Sequence, residues 1–214
     1  MAVVWGGPGS ALDSLGLSPE CGGGAAGSAR IGTDSSRGLA AGRAMPLPHK
    51  ISTLLYCFNA ADEVLLLQRA QEPNRGRWSP PGGKLKTGIG ESPYACACRE
   101  AHEEMGLTLT PADLHLTGLV SEHGYQGNTH WLMFIFEVKP RLTAVPPPHA
   151  EGIFEFFSRA ALDGLLVPDS DRECLWPWFW QHRGGFYAAH IHCHSDGRNE
   201  WVLEESTIST DRRG

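Results

Sequence analysis

Glu100, Glu103 and Glu104, in the stretch REAHEEMGL, are spaced i, i+3 and i+4, so on a helix they share one face. Like charges at that spacing destabilise a helix by roughly 0.2–0.5 kcal/mol per pair. A solvated structural face would set Lys or Arg about one turn on, but Gly106 and Leu107 stand near those places. A divalent cation would compensate the three carboxylates, because hard ions such as Mg²⁺ take carboxylate oxygens together with substrate phosphates. Taken alone, the triplet fits an exposed acidic face equally well. Its surroundings favour the cation. Arg99 directly precedes Glu100 and reaches Glu103 one turn on, Glu91 lies nine residues before Glu100, and Gly82-Gly83 lets backbone approach a ligand closely.

The elements that must carry these residues are legible nearby. Ser92-Pro93 reads as an N-cap followed by proline at the first helical position, and Gly106 as a left-handed C-cap. Between them Tyr94, Cys98, Ala101 and Met105 form an apolar stripe at helical spacing. ISTLLYCF and VLLLQR, separated by NAADE, predict a hairpin of two strands, and residues 71–90 predict a loop. Strands are expected near 114–121, 130–138 and 153–158, short helices near 159–164 and 171–182, and a terminal hairpin from FYAAHIHCH to RNEWVLEES. Strands before, between and after helices predict an α/β sandwich around a mixed sheet.

The chain of 214 residues is 41% apolar and 20% charged, which suits one sizeable core. Its 24 acidic against 18 basic residues leave a charge of −6, which argues against stable nucleic-acid binding or an anionic membrane surface. No apolar run approaches the roughly 18 residues of a membrane span. Six cysteines without a CxxC pair or a signal peptide suggest a reduced, cytoplasmic setting. Residues 1–44 hold 11 of the 26 glycines and no lysine, a composition expected to be disordered, so the domain is taken as 45–214.

The run from Gly82 to Leu107 resembles the box of the Nudix hydrolase family, G-x5-E-x7-R-E-U-x-E-E-x-G-U with U apolar. Glu91, Arg99-Glu100, Ala101, Glu103-Glu104, Gly106 and Leu107 match in register. One departure stands out: seven residues separate Gly83 from Glu91 where the pattern has five. An insertion in such a loop costs little closure entropy. The resemblance implies a Nudix-type α/β/α sandwich around a mixed β-sheet. It also implies hydrolysis of a nucleoside diphosphate linked to another moiety, with Mg²⁺ or Mn²⁺. On that reading Glu100, Glu103 and Glu104 hold metal or activate water, with the Gly82 carbonyl as a further ligand. Glu100 is the expected general base, Arg99 orients the carboxylates and Glu91 supports the site.

Glu151-Gly152 resembles the Glu-Gly pair of pyrophosphohydrolases acting on oxidised purine nucleotides, which makes Glu151 a further metal ligand. Arg69 and Lys84 are candidates for phosphate. Asp169, with Ser170 and Asp171, stands where related enzymes read the base, although helix capping is the commoner use of such residues. His190, His192 and His194 alternate along one strand face, a pattern that fits a Zn²⁺ or Cu²⁺ site or the solvent side of a hairpin. The expectation is a Mg²⁺-dependent nucleoside triphosphate pyrophosphohydrolase, oxidised purines included. ADP-ribose or nucleotide-sugar hydrolysis is the alternative, and a non-catalytic nucleotide sensor the alternative of another class.

Overall fold

Residues 46–208 are described by a computed structural model; the expectation for residues 1–44 lies outside them. The strands are β1 (His49–Tyr56), β2 (Val64–Arg69), β3 (Trp78–Ser79), β4 (Leu114–Tyr125), β5 (Thr129–Val138), β6 (Gly152–Phe157), β7 (Phe186–Cys193) and β8 (Asn199–Thr207). The two α-helices are α1 (Pro93–Met105) and α2 (Trp176–His182). Five strands form a mixed sheet in the order β1-β5-β4-β7-β8, with β1/β5 and β4/β7 parallel. β3-β2-β6 form a second, antiparallel sheet.

Alternation along β1 and β2 supplies two cores. Tyr56, Phe58, Val64 and Leu66 face α2 with Met133, Ile135 and Ile191, while Leu55, Cys57, Leu65 and Leu67 face α1 with Phe136 and Val138. The result is the mixed α/β sandwich expected, with its strands divided between two sheets. Among the described residues no helix is long and apolar enough to cross a membrane, and Cys57, Cys96, Cys98, Cys174 and Cys193 are free.

The predicted hairpin of β1 and β2 is a correction. Asn59 does build a turn, its Oδ1 accepting from the N–H groups of Ala61 and Glu63, and Leu65 N–H donates to Cys57 O at 2.9 Å. Beyond that the strands part into different sheets, β1 to β5 and β2 to β3 and β6. Both are buried on two faces, so apolar content does not say which neighbour takes the remaining backbone donors. The free edge of β1 is taken by the glycine loop: Thr53 and Leu55 donate to Gly83 O (2.9 Å) and Pro81 O (2.8 Å), and Leu85 donates to Ile51 O (3.0 Å). The terminal hairpin forms as expected and completes the mixed sheet through β7.

Helix α1 starts and stops where its sequence predicts. Ser92 Oγ accepts from Ala95 N–H at 3.1 Å, and Gly106 at φ 69° closes the helix. Ala101 and Met105 are buried as expected. Tyr94 and Cys98 are only partly buried at the edge of the same core, and Cys96 and Ala97 lie deeper.

Candidate active site

The glycine loop on β1 and the first turns of α1 meet around the guanidinium of Arg99. Its Nε and Nη2 grip Glu91 (2.7 and 2.9 Å), its Nη1 reaches Glu100 (2.7 Å) and Glu103 (2.9 Å), and Nη2 also reaches Lys84 O (3.2 Å). The hydrogen bonds from Arg99, with one from Lys86 N–H at 2.7 Å, hold the Glu91 carboxyl down at about 2. The same partners, Glu91 foremost, raise Arg99 above its ordinary value. The two extra loop residues thus leave Glu91 in contact with Arg99. The loop between Gly83 and Glu91 contains an exposed 3-10 turn, Thr87–Ile89.

The carboxylates on the helix face are compensated less fully. Glu104 is 5% exposed and accepts only the Gly82 N–H at 3.1 Å; burial pushes it up to about 8. Burial also raises Glu100, and the negative charges of Glu103 and Glu151 add to the rise. Glu103 is half exposed, with Lys86 Nζ 3.8 Å away. Gly82, at φ 139°, is the residue that fits against Thr53: a Cβ there would run into the Thr53 carbonyl, and one on Gly83 would run into the Glu100 carboxylate. Oxygen-only ligands in excess negative charge, pressed against backbone, suit a hard dication. No three of the described His, Cys, Asp and Glu side chains already surround a common point, and Glu100 and Glu103 are turned to Arg99.

A cavity of about 490 Å³ opens from this cluster. Arg69, Lys84, Glu100, Gly82 and Glu151 all line it. Arg69 is 4.0 Å from Glu151 and donates to Pro73 O at 2.9 Å. Glu91, Glu103 and Glu104 do not line the cavity. Asp169 is the residue the structure moves out: its side chain is 72% exposed, turned to Arg77 at 3.9 Å, and it does not line the cavity. A π-helical turn over Asp171–Leu175 instead brings Ser170 (4% exposed) and Asp171 (8%) to the wall.

Across from them lies Glu122, 4% exposed on β4, a residue that no sequence motif marks. Its parity with Val120, a core residue of the same strand, was the available signal. Glu122 accepts from Cys193 Sγ (3.6 Å), and Ser170 lies beside it. Burial raises it, and burial with the nearby Glu122 charge pushes Asp171 up to about 8. Trp131, Met133 and Tyr125 complete this end of the cavity, and Lys86 is a further cation at the other.

The chain belongs to the Nudix family, whose NUDIX domain model matches residues 48–179, from β1 into α2. Within that family it is similar to the 8-oxo-dGDP phosphatase NUDT18 of Mus musculus, 35% identical over 82 residues, which are 38% of this chain and 23% of that protein. It is also similar to the uncharacterised Nudix hydrolase YvcI of Bacillus subtilis, 37% identical over 76 residues, 35% of this chain and 45% of that one. The matches thus span about a quarter to under a half of these relatives. Among solved structures, a MutT protein from Bacillus halodurans aligns with a TM-score of 0.57 at 25% identity, over 72% of this chain and 97% of that one.

Two titrations follow from this electrostatics. A carboxylate held near 2 stabilises the fold fully above its ordinary 4.5 and loses that contribution as pH falls toward 2. Glu91→Gln is therefore expected to lower stability at pH 7 by about 2 kcal/mol, the value of charged hydrogen bonds, and to flatten the acid limb of unfolding followed by circular dichroism. Asp171 has the opposite sign. Its folded value lies above its ordinary 3.8, so the fold loses stability as pH rises from 3.8 to about 8. The melting temperature of Asp171→Asn should match the parent's near pH 4 and exceed it increasingly toward pH 8.

Proposed function

We propose that the cavity hydrolyses a phosphoric anhydride bond of a purine nucleoside triphosphate, oxidised purines included, releasing nucleoside monophosphate and pyrophosphate with Mg²⁺ or Mn²⁺ as the cation. The observation that carries this reading is the pairing of two unlike ends in one cavity. At one end burial, with the Glu151 carboxylate nearby, raises Glu100 and Glu104, a state that a cation would relieve. At the other, Glu122, Ser170 and Asp171 face Trp131 in a buried wall.

Glu100, Glu103, Glu104 and Glu151, with the Gly82 carbonyl, are the residues that would hold the cation. When bound, a dication there neutralises phosphate charge and makes water a stronger nucleophile. Arg69, Lys84 and Lys86 bind the phosphate oxygens and set the chain in line for attack. Arg99 fixes Glu100 through Oε1, which leaves Oε2 to accept the proton of the attacking water. Glu91 keeps Arg99 in place and touches no substrate.

The base end is assigned to Glu122 and Asp171 in place of Asp169. A carboxyl that keeps its proton both donates and accepts, and so meets a purine edge carrying adjacent N–H and C=O groups. Trp131 offers an aromatic face for stacking. The likeness to the 8-oxo-dGDP phosphatases favours an oxidised guanine nucleotide at this end and makes the diphosphate the second substrate reading.

The full chain is incubated with dGTP, 8-oxo-dGTP, 8-oxo-dGDP, ADP-ribose and a nucleotide sugar, with Mg²⁺ or with chelator, and each phosphate product is counted. Preference for 8-oxo-dGTP with pyrophosphate release is expected, and chelation should abolish it. Cleavage confined to ADP-ribose or the sugar nucleotide would overturn the substrate; bound nucleotide without turnover would make the domain a sensor. Glu100→Gln should lower kcat by about 10²–10⁴-fold, the usual weight of a general base, with the melting temperature retained.

A further inference from the structure

A second concentration of ligand side chains lies away from the cavity, on the opposite face of the strands that line it. Cross-strand pairing sets His49 opposite His130, His123 opposite His192, and His192 opposite Glu200. With His130 stacked on His123, four imidazoles and a carboxylate form one row across all five strands of the mixed sheet. Ring centroids along it are 5.7, 4.6 and 4.5 Å apart, and His194 stacks on His192 at 4.3 Å.

Two of the neighbouring histidines are already committed. His130 Nδ1 accepts the Gly124 N–H at 3.1 Å, which ties down the β4–β5 turn, and His190 Nδ1 lies 2.7 Å from Ser121 Oγ. His194 is not committed. Its Nε2 is shielded from solvent and makes no hydrogen bond, although Glu200 Oε2 stands 3.3 Å away.

We infer that His192, His194 and Glu200, with His123 as the fourth donor, form a binding site for a borderline transition-metal dication of the Zn²⁺ type. Cross-strand partners share a face, so pairing sets His123, His192 and Glu200 side by side, and His194, one residue past the end of β7, joins them by stacking on His192 at 4.3 Å. Three imidazoles and a carboxylate are the ligand number and chemistry of a tetrahedral zinc site, and the nitrogen donors select against Mg²⁺. The rings stack instead of converging, so binding requires them to turn about their side-chain bonds while the paired strands stay in register. A metal there would use the orphaned Nε2 of His194.

His123 follows Glu122 on β4, and the two side chains leave the strand on opposite faces. The inferred site is thus separate from the carboxylate cluster around Glu100. It does not depend on the reading of that cluster.

The test is calorimetric titration of the full chain with Zn²⁺ in excess Mg²⁺. One site is expected, and its affinity should fall roughly tenfold or more in His192→Ala and in His194→Gln, the latter a milder change near the hairpin tip. His190→Ala and Glu100→Gln should leave that affinity unchanged. Co²⁺ in place of Zn²⁺ should give visible bands of a tetrahedral nitrogen–oxygen site, lost in the His194 variant. Absence of a Zn²⁺ site, Zn²⁺ affinity indifferent to both histidine changes, or equal loss in Glu100→Gln would overturn the assignment. None of these outcomes turns on nucleotide hydrolysis.

Discussion

One guanidinium holds the site together. Arg99 joins Glu91 at the helix entrance, Glu100 and Glu103 on the helix face, and the Lys84 carbonyl on the glycine loop. None of these pieces favours its position alone. Carboxylates stacked on one helix face repel, a loop rich in glycine has much freedom to lose, and a carboxyl as enclosed as Glu91 needs a cation beside it. A planar fork of five N–H donors satisfies all of them at once, which the compact ammonium of lysine could not do. Loop, helix and acidic face therefore stand or fall together.

From that hub outward, charge is distributed unevenly along the cavity. Glu91, gripped by Arg99, is held down at about 2, whereas burial raises Glu100 even in contact with Arg99. One helical turn further, at Glu104, burial pushes the same residue type up to about 8, and a single backbone N–H is its only hydrogen-bond partner. At the far end Asp171 reaches about 8 again, this time against aromatic and apolar walls. The two protonation-prone ends differ in what relieves them. The crowded glutamates gain from a cation, whereas Asp171 and Glu122 gain from partners that exchange hydrogen bonds.

Much of the site was legible in the sequence because its determinants are local. Ser92, Pro93 and Gly106 bound α1 by capping alone, and i, i+3, i+4 spacing fixes which glutamates share a face. The two-residue loop insertion was legible as well, and Glu91 still meets Arg99 across it. What the sequence withheld depended on distant partners. The turn at Asn59 reads as a hairpin, but the strands it joins pair elsewhere. The phase of the segment after Pro168 depends on a π-helical turn that no spacing rule supplies, so Asp169 and Asp171 exchange places between surface and wall. Glu122 sits where an apolar residue is the default, and only its parity with Val120 marks it as inward.

The glycine loop occupies the edge of β1 that another strand would otherwise take. The amides of Thr53 and Leu55 are consequently sealed by the loop and not by a neighbouring strand. Solvent reaches those two protons only when the loop lifts, so their exchange with water keeps time with the opening of the site. In most sheets the slowest protons lie far from the ligand and report on global unfolding. Here two protons of a strand within the fold act as a clock for the floor of the cavity, and a ligand that pins the loop would slow that clock without touching either residue.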